Sequence, residues 1–90
     1  MSKLYKSMFV WKRIEGQEEA IRFSCFEVIG ENKYCVQSAD HFYLPIDRVQ
    51  LDSFDDQLVE LFIEETPDSR GGVYDTLEEA IRSFETDFSS

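Results

Sequence analysis

Ninety residues, 42% of them apolar and 14% aromatic, make one domain, 1–90, too hydrophobic for an acidic disordered tail and too short for a second core. A formal net charge of −10 argues against nucleic acid or anionic membrane as a partner held by bulk attraction. The charge is also one-sided: up to Leu51 seven bases balance seven acids, whereas from Asp52 onward twelve acids meet only Arg70 and Arg82.

The first element runs from Ser7 to Ile14, rich in strand formers and without a helix cap. Alternation puts Phe9, Trp11 and Arg13 on one face and Met8, Val10, Lys12 and Ile14 on the other. Lys3, Lys6, Lys12 and Arg13 interleave with Tyr5, Phe9 and Trp11, the composition of a base-stacking platform. On so acidic a chain they read instead as the solvated charge that protects a strand edge, and no nucleic acid is expected. The apolar run from Met8 to Trp11 is too short for a secretory leader, and nothing reaches the ~20 residues of a membrane span. The expectation is a cytoplasmic protein.

Glu15-Gly16-Gln17 reads as a turn, and Ala20 to Ile29 as a long strand with Ile21, Phe23 and Cys25 opposing Phe26 and Val28. Gly30-Glu31-Asn32 is a hairpin signal, because Gly and Asn adopt positive φ cheaply. Lys33 to Ser38 returns through Tyr34 and Val36. Ala39-Asp40-His41 is expected to bend, and Phe42-Tyr43-Leu44 to add a short fourth strand stopped by Pro45. A turn centred on Glu31 would put Cys25 and Cys35 on one face of the hairpin, and a turn half a step later on opposite faces. Reduced core cysteines are expected, since one pair without a CxxC is no disulfide framework.

Beyond Leu51 the period changes. Ser53 can cap a helix over about 54–65, with Asp55 and Asp56 in its first turn and Phe54, Leu58, Leu61 and Phe62 at helical spacing. With Val59 and Ile63 its apolar arc spans about 200°, which predicts contacts on two sides, the sheet and either another helix or a second subunit. A buried strand over Val59–Ile63 is the competing reading. After the loop from Thr66 to Gly72, Thr76 and Glu79 form a capping box for a helix over about 77–87 with an apolar stripe of Leu77, Ala80, Ile81, Phe84 and Phe88. Glu78 and Arg82 are a favourable i,i+4 pair. The expected fold is α+β: an antiparallel sheet of three to four strands (about 7–45) covered on one face by two C-terminal helices.

No motif carries chemistry. His41 is the only histidine, and its neighbour Asp40 points the other way along an extended chain, so no triad follows. Cys35 with His41 is the one thiol–base pair available. Asp52-Ser53-Phe54-Asp55-Asp56 lacks the central Gly and closing Glu of a calcium loop, and no zinc spacing or phosphate loop is present. The expectation is a non-enzymatic protein with no cofactor and no metal.

The informative acids are those no helix end explains. Asp56, Glu60 and Glu64 are spaced i,i+4,i+8 with no cation between them, each step costing about 0.2–0.5 kcal/mol. Glu64, Glu65, Glu85 and Asp87 sit at helix C-terminal ends, where the dipole disfavours negative charge. Asp56, Glu60, Glu64, Glu65, Glu85 and Asp87 are therefore the candidate binding residues for a basic protein surface. The alternative is a homodimer through the helix around Leu58, Phe62 and Ile63, with a small aromatic pocket of Tyr34, Phe42, Tyr43 and His41.

Overall fold

A computed structural model describes residues 3–70 and 72–88. Three strands form an antiparallel sheet in the order β1 (Tyr5–Ile14), β2 (Glu19–Val28), β3 (Lys33–Tyr43). Three helices follow: α1 (Arg48–Glu64), the short α2 (Pro67–Arg70) and α3 (Leu77–Phe88). The α+β class, with the sheet first and the helices after it, is as the sequence predicts.

Both turns use positive φ where the sequence supplies residues for it, at Gly16 (75°), Gly30 (91°) and Asn32 (53°). The second hairpin pairs Val28 with Lys33, so its loop is Ile29–Asn32, centred half a step before Glu31 rather than on it or after it. Phe26 then faces Cys35 and Cys25 faces Val36, which sends the two buried, free cysteines to opposite faces.

The expected bend at Ala39–His41 and a separate fourth strand do not form. The irregularity falls earlier: Ser24 pairs with Ser38 and Cys25 with Val36, leaving Gln37 as the extra residue of a bulge. The ladder resumes beyond it, so Phe42 and Tyr43 end β3 rather than begin another strand.

The helices do not share a face. Phe26 stacks on Phe62 of α1 (centroids 5.1 Å apart), and Phe42 meets Phe54 of α1 edge-on at 5.5 Å. Phe23, of opposite parity to Phe26 on β2, instead meets Phe84 of α3. The expectation of two helices on one face is corrected: α1 lies on one side of the sheet and α3 on the other. The physical reason is visible in β2, which is buried without interruption from Arg22 to Phe26, as a strand covered on both sides must be. The chain crosses from one side to the other around the outer edge of β3, where Tyr34 and Tyr74 form an isolated antiparallel bridge.

α1 also starts earlier than the periodicity suggests. Asp47 caps it, accepting from the N–H groups of Val49 (3.0 Å) and Gln50 (3.4 Å). Ser53, Asp55 and Asp56 therefore lie inside the helix and gain nothing from its N-terminal dipole. Residues 59–63 are helical, which removes the strand alternative. α3 begins as expected, with the Glu79 N–H on Thr76 Oγ1 at 3.1 Å and Arg82 paired to Glu78.

Candidate functional site: the outer face of helix α1

α1 is seated lightly. Leu51, Phe54, Leu58, Leu61 and Phe62 turn to the sheet at i,i+3,i+4 spacing, yet none of its residues is fully buried. The reason lies beneath it. The sheet surface under α1 is largely polar at its centre, with Arg22, Ser24 and Gln37 buried among aromatic residues. Gln37, pushed out by the bulge, donates through Nε2 to the Leu58 carbonyl of α1 at 3.1 Å. Arg22 is sandwiched between the rings of Phe9 (4.4 Å) and Phe42 (5.2 Å) and approaches Asp55 of α1 at 3.0 Å and Asp40 at 3.5 Å. Among the described residues those contacts hold Arg22 at ion-pair distance, and its Nε and Nη2 find no acceptor in good hydrogen-bond geometry. Burial pushes the Asp40 carboxyl up despite its guanidinium neighbour.

The opposite side of α1 faces solvent and is mixed in character. Val49, Val59 and Ile63 are 78%, 58% and 77% exposed. At 100° per residue they fall on the same side as Asp52, Asp56 and Glu60, with Glu64 at its flank. All four acids are exposed, and no ion pair reaches any of them among the described residues. β-branched side chains have no helical preference that would retain them in water. Three in one acidic stripe make a surface of apolar knobs between carboxylates, next to a shallow recess formed by Gln57, Glu60, Leu61 and Glu64. The wide apolar arc anticipated for this helix is present, but its second side is uncovered.

The structure divides the other predicted acids. Glu65 ends α1 and accepts from Ser69 Oγ at 3.3 Å. Glu85 stands on the far side of the sheet, paired with Lys12 at 2.8 Å, and so is not part of the α1 surface. The Asp87 side chain lies outside the described residues. Of the residues put forward for a helix-mediated dimer, Phe62 is occupied by Tyr5 and Phe26, Leu58 is half-buried, and only Ile63 is fully available.

The predicted pocket residues also separate. Tyr34 is held at the other end of the sheet by Tyr74, and His41 bonds Glu19 Oε1 through Nδ1 at 2.7 Å. Phe42 and Tyr43 do line a cleft of about 580 Å³, together with Trp11, Leu44, Ile46 and Leu51, and with Arg13, Glu18 and Glu19 in its wall. Sequence reading missed Leu44 and Ile46 here. Their signal was an apolar pair astride Pro45 in a connection that should be polar.

Nucleophilic chemistry finds no support at the cysteines. Burial pushes the Cys25 thiol up to about 12 and the Cys35 thiol to about 11, so neither is a thiolate near neutrality. Among the described residues no group of His, Cys, Asp and Glu is arranged to hold a metal ion, and no helix is long and apolar enough to cross a membrane. No protein-family model, curated protein or solved structure matches this chain.

Proposed function

We propose that this protein is a non-enzymatic binding module whose α1 outer face takes a basic amphipathic segment of another protein. The single observation that carries this is the interleaving of Val49, Val59 and Ile63 with Asp52, Asp56 and Glu60 on the one side of α1 that no described residue covers. An apolar stripe alone would suit any hydrophobic partner, and a carboxylate stripe alone would be a solubility device. Together they fit a helix bearing aliphatic residues at i,i+3,i+4 spacing flanked by Lys and Arg. The carboxylates of Asp52, Asp56, Glu60 and Glu64, unpaired among the described residues, then steer such a partner toward this face. Two free, buried cysteines are in keeping with a cytoplasmic setting.

The test is titration of a fluorescent Leu/Lys amphipathic peptide into the intact protein at low and high salt. Binding should weaken with salt, fail in the E60K/E64K double variant and fall in Ile63→Ser. Equal affinity for wild type and the double variant would remove the reading.

A second reading, a small-molecule binder, is favoured by the cleft at Trp11, Phe42, Tyr43, Leu44 and Ile46, whose volume suits an aromatic or aliphatic ligand. Quenching of the single tryptophan by hydrophobic probes, lost in Ile46→Asp, tests it.

A further inference from the structure

The outer edge of β1 is open over ten residues. Among the described residues nothing pairs with it, it contains no proline and no bulge, and none of its residues is fully buried. Natural sheets shield such an edge or use it. Here the edge carries two large aromatic residues on one face, Phe9 at 46% and Trp11 at 56% exposure.

We propose that β1 pairs antiparallel with β1 of a second copy of this chain, centred on Val10, to give a continuous six-stranded sheet. A two-fold axis normal to the sheet keeps each face on its own side, so a residue meets its equivalent at the centre and the register moves only in steps of two. Centred on Val10, Phe9 lies opposite the partner's Trp11, Lys12 opposite the partner's Met8, Arg13 opposite the partner's Ser7 and Lys6 opposite the partner's Ile14. No like charges oppose each other. Centred on Phe9, Lys6 would face the partner's Lys12, a repulsive pair made twice. Centred on Trp11, Lys6 and Ser7 leave the ladder and the Phe9–Trp11 pairing is lost.

Charge complementarity favours the same register. Glu85 of α3 sits over Lys12 at 2.8 Å. Lys6 shares that face and arrives diagonal to the partner's Lys12, beside the partner's Glu85. The local charge of the edge is thus answered across the interface even though each chain is strongly acidic. The surface is distinct from the outer face of α1, and both can be occupied at once.

Ser7 provides the test, because it is exposed, its side chain makes no hydrogen bond among the described residues, and in this register alone it opposes Arg13. Sedimentation velocity across a concentration series should show a reversible dimer for the wild type, with Trp11 emission shifting to the blue as it forms. S7K should weaken the dimer and S7E tighten it, each by roughly two- to thirtyfold, since the pair occurs twice. A wild type that stays monomeric across the series overturns the proposal. So does a dimer whose dissociation constant is the same in S7K and S7E, because association would then run through another surface. Circular dichroism of both variants verifies that the monomer fold is intact.

Discussion

Tyr34 and Tyr74 exchange both backbone hydrogen bonds, N to O at 2.8 Å in each direction, and through that bridge the chain passes from one side of the sheet to the other. The Tyr74 hydroxyl continues the connection to Ser83 of α3 at 2.6 Å. Tyr74→Pro removes the donor and should cost about 1–3 kcal/mol by urea denaturation, with Tyr74→Phe, which loses only the hydroxyl, costing about 0.5–1.5 kcal/mol. Equal stability of wild type and Tyr74→Pro would mean that the bridge does not hold α3, which then rests on the Phe23–Phe84 contact and the Lys12–Glu85 pair.

The sequence points to Ser53 as the cap of α1, whereas in the structure Asp47 takes that place. Asp47→Ala should lower stability by about 0.5–2 kcal/mol, while Ser53→Ala, inside the helix and exposed, should stay within about 0.5 kcal/mol of wild type. Thermal unfolding of the two variants reads the difference. The reverse order would move the start of the helix to Ser53.

The carboxylate ladder on α1 should trade stability for binding. Glu60 is flanked by Asp56 and Glu64 at i−4 and i+4, so E60K converts two repulsive steps into two attractive ones. That change should raise stability by roughly 1 kcal/mol while weakening a basic ligand. A variant both more stable and an equal binder would identify the ladder as solubilising charge.

Acid sensitivity should concentrate at Asp68. Its carboxyl is lowered from the ordinary 3.8 to about 2, chiefly because the Tyr5 hydroxyl donates to it at 2.7 Å, and Lys3 adds a further bond at 3.0 Å. A depressed carboxylate contributes stability that is present above its unfolded value and disappears as the folded form protonates. The loss should therefore fall between about pH 4 and pH 2. Thermal midpoints measured across that window should drop less in Asp68→Asn than in the wild type.

How much of this could be read from the residues depends on the range of the interaction. Strand alternation, the Gly30–Asn32 hairpin and the Thr76 cap are local, and each is legible because neighbouring side chains decide it. The face on which α3 lands was not legible, since it depends on where a loop turns around β3, which alternation does not encode. The Gln37 bulge was equally hidden, because a bulge shifts register without any residue that demands it. Asp47 was legible in principle, being followed by Gln50 three residues on, but the stronger apolar period beginning at Phe54 drew the boundary late. For the site, the Asp56–Glu60–Glu64 ladder was visible as spacing, and Val59 and Ile63 as the second side of a wide apolar arc, whereas Val49 was missed because the helix was expected to begin only at Phe54.

The most direct measurement is an amide chemical-shift map of the intact protein titrated with the basic amphipathic peptide. The shifts should cluster on Val49, Asp52, Asp56, Val59, Glu60 and Ile63 and vanish in E60K/E64K. Shifts confined to β1 or to the cleft at Trp11 and Phe42, with α1 silent, would contradict the assignment of α1 as the binding face.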